Sequence, residues 1–172
     1  MTNSVQAPGG GRAITEQDRE RLRRCVELAR DALEAGDEPF GSILVDAAGE
    51  VRFEDRNRVV ETGDQTRHPE FAIARWAAEH LTPGERKDAV VYTSGEHCPM
   101  CSAAHAWVGL GRIVYASSSA QLVSWLAEWG VPGGPVAPHP ITDIAPFLPV
   151  AGPVDDLADE VRELQALSHG VQ

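Results

Sequence analysis

Two short segments hold residue types that can do chemistry together. One reads Thr66-Arg67-His68-Pro69-Glu70-Phe71, the other Thr93-Ser94-Gly95-Glu96-His97-Cys98-Pro99-Met100-Cys101. With Cys98 as a helix N-cap, Cys101 three positions on faces the same way. The positive end of that helix lowers thiol pKa. Two thiolates so placed suit a soft, tetrahedral cation, above all zinc. Read alone, the pair also fits a redox C-x-x-C or two buried thiols, but neither accounts for the first segment. His68 offers a third ligand through a ring nitrogen. Pro69 fits a first helical turn, where no backbone N–H is needed, so His68 is predicted as an N-cap with Glu70 in that turn. Three protein ligands leave a fourth position open to water, as in catalytic rather than structural sites.

Zinc lowers the pKa of bound water from about 15.7 to about 7. Glu70 would then stand beside a nucleophile, able to take its proton and pass it on as a general acid/base. A carboxylate so close could instead bind the metal. In zinc deaminases, His-x-Glu followed by Pro-Cys-x-x-Cys leaves the Glu outside the metal's ligands.

From about Pro39 to Ala116 the chain resembles the cytidine deaminase-like superfamily of zinc-dependent hydrolytic deaminases. It looks most like the guanine deaminase and tRNA adenosine deaminase branch. The run from Thr93 to Cys101, with its Cys-Pro-Met-Cys, is similar to theirs, and so is Pro39-Phe40-Gly41 before the first strand. Asn57 lies eleven positions before His68, and Trp107 six after Cys101. The resemblance implies zinc on His68, Cys98 and Cys101, with Glu70 catalytic. It implies that Asn57 holds the substrate's ring amide and that Phe40 and Trp107 wall the pocket. Glu128 stands where guanine deaminases supply a second acidic group. On general grounds Asn57 equally fits a turn, and Phe40 and Trp107 equally fit a core. Two positions depart from the family: Pro69 replaces its usual Ala, and His97 its usual Pro. The His97 ring either reshapes the pocket floor beside the ligands or points away and fills space.

These residues need elements to hold them. Thr15 and Asp18 form a capping-box start. Leu22, Cys25, Val26, Ala29 and Leu33 then follow at helical spacing, predicting a helix from Glu16 to about Ala35. Phe40–Val45 and a strand from Val51 to about Phe53 read as a hairpin. Helices are predicted at Pro69–Leu81 and Pro99–Leu110, with strands at Ala89–Thr93 and Ile113–Ala116. Ala120–Trp129 reads as a helix burying Leu122, Val123, Leu126 and Trp129. A Gly/Pro-rich loop follows over 130–140. Pro149 and Pro153 reduce any last strand to an edge, and Asp156–Leu167 closes the chain as a helix. Strands alternating with helices imply a sheet covered on both faces. The resemblance sharpens this to a three-layer α/β/α sandwich with a mixed central sheet of about five strands. It would form a single domain over 14–172, after a flexible leader over 1–13.

Composition narrows the function. The 172 residues are 42% hydrophobic and 24% charged, which excludes fibrous and wholly disordered classes. Lys and Arg number 15 against 26 Asp and Glu, a formal net charge of −11. That argues against nucleic acid, which binds clustered Lys and Arg; the stretch Arg19–Arg24 reads as a solvated helix face. Three cysteines argue against a disulfide framework. No apolar run spans a bilayer, and the first residues lack a signal peptide's apolar segment, so a cytoplasmic protein is expected. The expected activity is zinc-dependent release of ammonia from a small amino-heterocycle, a guanine-like or related free nucleobase or a nucleoside. The alternatives are a tRNA adenosine deaminase and a non-catalytic zinc module closed by a fourth ligand such as His97. The resemblance also implies a homodimer, in which Trp125 and Trp129 fit an interface or a core equally.

Overall fold

The computed structural model describes residues 12–172. All but the last two residues of the expected leader lie outside them. Helix α1 (Glu16–Glu34) leads into strands β1 (Gly41–Val45) and β2 (Val51–Arg56). A short helix α2 (Val59–Thr62), then α3 (Pro69–His80) and α4 (Pro83–Asp88), precede β3 (Val90–Gly95). Next come α5 (Pro99–Val108), β4 (Ile113–Ser117), α6 (Ser119–Glu128), α7 (Ile141–Ile144), β5 (Val150–Ala151) and α8 (Asp155–Ser168). The short helices α2, α4 and α7 were not expected. Among the described residues no helix is long and apolar enough to cross a membrane.

The sheet order is β2-β1-β3-β4-β5. β1 runs antiparallel to β2 and β3, whereas β3, β4 and β5 are parallel. The hairpin sets the first relation, and the helical crossover through α5 permits the second. The last strand is only two residues long, where Pro149 and Pro153 bracket it.

Alternation along the strands splits the core in two. Ile43, Val45, Tyr92 and Val114 face α1 and α8, packing with Leu22, Cys25, Leu157 and Leu164. Leu44 and Val91 face the opposite way, against Ile73, Ala74 and Ala77 from α3 and Leu110 from the turn after α5. This is the expected three-layer α/β/α sandwich with a mixed five-stranded sheet. The helix start at Thr15 carries a full capping box with Asp18. The buried Asp18 also accepts from the Tyr92 hydroxyl at 2.7 Å, pinning α1 to the sheet.

Helix α6 departs from expectation. Trp125 is the side chain it buries most fully in the core, and Leu122 and Trp129 pack partly buried against the same cluster. Val123 is 43% exposed, and Leu122 and Leu126 line a cavity.

Gly41 has a packing reason. A Cβ there would fall within 3.0 Å of Leu28 Cβ, the Cys25 carbonyl oxygen and the Ala29 nitrogen. Most of that obstacle is helix backbone, which cannot rotate away. Gly41→Ala is therefore expected to lose about 1–3 kcal/mol or more. Thermal melts check this, and an unchanged midpoint would show that α1 can move off the strand.

Candidate active site

Helices α3 and α5 start alike. His68 and Cys98 are their N-caps, with extended backbone (φ −81°, ψ 141° and φ −66°, ψ 167°), and each is followed by Pro at the first helical position. The prolines bias the preceding residues to that extended form. Each cap carbonyl accepts the first helical bond, from Ala72 N at 3.1 Å and Ser102 N at 2.8 Å. The two helices pack together on one face of the sheet, so both N-termini meet at the carboxyl end of β3.

There His68 Nδ1 lies 3.6 Å from both Cys98 Sγ and Cys101 Sγ. Zinc–nitrogen and zinc–sulfur bonds of about 2.0 and 2.3 Å at a tetrahedral angle separate those atoms by about 3.6 Å. The three donors all fall within 4.8 Å of one another. Donor type and spacing thus fit a zinc ion. Hydrogen bonds from Cys101 and His68 hold the Cys98 thiol down at about 4. The bond to Cys98 lifts His68 to about 9, and the same neighbour together with burial pushes Cys101 well up. A bound divalent ion would displace those protons.

Glu70 is buried at the second position of α3, within the same cavity. Burial pushes its carboxyl up. Its Oε1 lies 2.9 Å from Thr93 Oγ1 and 3.2 Å from Ser42 Oγ, which are also 2.8 Å from each other. Ser42 and Thr93 are register partners on β1 and β3. Both face α3, because each is two residues from a side chain of that core layer, Leu44 and Val91. This cross-strand pair was not foreseen; its signal was two hydroxyls at inward positions of otherwise apolar strands. Oε2 stays clear of them, 3.9 Å from Cys101 Sγ. Thr93→Val keeps the shape and deletes the hydroxyl. It is expected to lower turnover by about 10–100-fold at unchanged zinc content, checked by kinetics beside metal analysis.

Asn57 is buried and lines the cavity. Its Oδ1 accepts from Val59 N at 3.0 Å, and its Nδ2 reaches Glu38 at only 3.4 Å. It therefore shapes the turn, and one of its two amide N–H groups has no partner among the described residues. Phe40 also lines the cavity, with its ring against Gly95.

Three expected residues lie elsewhere. Trp107 is 90% exposed and does not line the cavity. Glu128 sits on the surface, held by Arg162 at 2.8 and 2.9 Å. His97 is buried, but its two ring nitrogens find no partner among the described residues. Its ring packs edge-on to His105 at 5.3 Å, and burial keeps it neutral by pushing its pKa well down. It does not join the His68, Cys98 and Cys101 group, so His97 is not the fourth ligand that the non-catalytic alternative would use.

Glu96 was overlooked. Its Oε2 accepts from Ser119 N at 2.8 Å and its Oε1 from Ile141 N at 2.9 Å. One carboxylate thus fastens the first turns of α6 and α7, the two ends of the segment that borders the cavity.

The family described as "Cytidine and deoxycytidylate deaminase zinc-binding region" matches residues 15–117. The "Probable cytosine deaminase" of Schizosaccharomyces pombe is 30% identical over 146 residues, 78% of this chain and 87% of that protein. The guanine deaminase of Bacillus subtilis is 36% identical over 97 residues, 56% of this chain and 62% of that protein. A structure of the guanine deaminase from Nitrosomonas europaea superposes with a TM-score of 0.67. It covers 99% of both chains at 19% identity, a likeness of fold.

Proposed function

The chain belongs to the cytidine and deoxycytidylate deaminase zinc-binding family, and we propose that it hydrolyses the C–NH₂ bond of a small amino-heterocycle, a free nucleobase or a nucleoside. The observation that carries this reading is the buried Glu70 carboxylate beside the His68, Cys98 and Cys101 trio, in one cavity with Asn57 and Phe40. Relatives named for cytosine and for guanine both support a small planar base. The preference for guanine rests on Trp107, which lies outside the cavity, so the reading names no single base.

When bound, zinc supplies the Lewis acidity that makes water a nucleophile near neutral pH. The chain's own residues do the rest. Asn57 offers an amide N–H to the ring amide, and the Phe40 ring packs against the heterocycle. Thr93 and Ser42 fix Glu70 Oε1, leaving Oε2 to carry the water's two protons in turn, the first to a ring nitrogen as the C–O bond forms and the second to the amine as the C–N bond breaks. Water and the aminated carbon thereby give a carbonyl and ammonia. The apolar walls keep bulk water away from the transfer.

Charge and lining oppose the RNA reading. The net charge is −11, and no Lys or Arg lines the cavity. We read the chain as a cytoplasmic homodimer, in which a second copy covers exposed apolar side chains such as Trp107; sedimentation at several concentrations tests that. Ammonia release is the direct test of function. The panel holds guanine, isoguanine, cytosine, adenine, their nucleosides, ammeline and an anticodon stem-loop RNA. Release from one or a few small bases or nucleosides is expected. Release from RNA alone would overturn the small-molecule reading. Silence throughout, with one zinc per chain, would overturn turnover itself.

A further inference from the structure

The cavity is larger and more divided than a bare base requires. Its volume is about 380 Å³, within the range of pockets that bury whole small-molecule ligands. Its polar side chains include Asn57, His68, Glu70 and Cys98 around the candidate metal ligands, and Glu96 and Ser119 at the start of α6. The outer part is different. Leu122, Val123 and Leu126 project from α6, and Val131, Val136 and Pro138 face them from the following segment.

That outer wall is built rather than loose. Val131 N donates to Leu126 O at 2.9 Å, closing the segment onto the end of α6. Its far end is fastened by Ile141 N to Glu96. The Glu96 carboxylate is thereby occupied on both oxygens and has little left to offer a ligand. Among the described residues no Lys or Arg lines this wall to meet a phosphate, and its polar groups are the Ser119 hydroxyl and the backbone of Gly133 and Gly134. It does hold out apolar surface: Val123 is 43% and Val136 57% exposed. Such surface gains when an apolar group displaces its water.

We infer that the α6 wall is a subsite for an apolar, uncharged substituent on the heterocycle, carried on the side away from the amine, and that it excludes phosphorylated substrates. This deepens the deaminase reading and rests on it for the placement of the ring.

The test uses zinc-loaded full-length protein and two cores, cytosine and guanine. Each is compared bare, with propyl or benzyl at the nitrogen that bears the sugar in a nucleoside, as the nucleoside, and as the 5′-monophosphate. Ammonia release and calorimetric affinity are both measured. The alkyl or benzyl forms are expected to exceed the bare base about ten-fold or more in kcat/KM and in affinity, with the monophosphate inert. Leu126→Asn is expected to collapse that ratio toward one, whatever it does to the absolute rate. Equal values along the series, or preference for the nucleoside or monophosphate, would overturn the subsite. Tighter binding of the alkyl forms with no ammonia from any core would keep the subsite and overturn the deaminase reading. Absence of binding by every probe would overturn both.

Discussion

Glu70→Gln is expected to reduce turnover by about 10²–10⁴-fold, the usual worth of a general acid/base, while the fold and the bound zinc remain. The amide fills the same space and still accepts from Thr93 and Ser42, so geometry is kept. What it lacks is a site for a travelling proton. Burial already opposes ionisation of this carboxyl, so replacing it by a neutral group removes a desolvation penalty. The melting midpoint should hold or rise. Ammonia release, zinc content and a thermal melt on one preparation check all three. Activity within ten-fold of the parent would remove Glu70 from proton transfer. Loss of zinc in the variant would make Glu70 a ligand instead.

Removing the metal is expected to have an equally large effect, on stability as well as activity. Cys98→Ala leaves His68 and Cys101 as the only pair, too few to hold zinc in competition with solvent. Activity should fall below detection and zinc content to near zero. Chelation of the parent protein should do the same reversibly. An ion bound only by the folded chain, at a free concentration a thousand times its Kd, adds about 4 kcal/mol. For a domain of this size that corresponds to roughly 10 °C in the melting midpoint. Zinc added back to chelated protein should restore both. A Cys98→Ala protein that keeps one zinc and its activity would place the metal elsewhere.

What could be read in the sequence followed from how local each cue was. His68, Glu70, Cys98 and Cys101 owe their positions to two helix starts, each marked by a proline within one residue of a ligand. Such cues do not depend on distant parts of the chain. Trp107 lies outside the cavity for a helical reason. Six residues past Cys101 a side chain has turned about 240°, away from the site, whereas His105, four residues on, stays on the buried side. There His105 Nε2 donates to Gly111 O at 2.7 Å. Apolar spacing in α6 was real, but periodicity does not tell a core face from a cavity wall. Trp125 and Trp129 took the first role, Leu126 the second, and Leu122 both. Glu96 was invisible because its partners, Ser119 and Ile141, are 23 and 45 residues away. Helix α4 had a readable cue in Thr82 and Glu85, which form a capping box, but at six residues it shows no period.

The Glu96 clasp also bears on how such a protein can diversify. It ties down both ends of the stretch between α6 and α7, so the loop's interior can change length without unseating either helix. Doubling a flexible loop costs only about 0.6 kcal/mol in closure entropy. The proposed metal ligands and proton carrier sit at the starts of α3 and α5, on the other side of the cavity. Insertions, deletions and substitutions over residues 130–140 would thus reshape what the cavity admits and leave the bond-breaking machinery untouched. Selection for a new substrate could proceed in that one stretch, at little risk to folding.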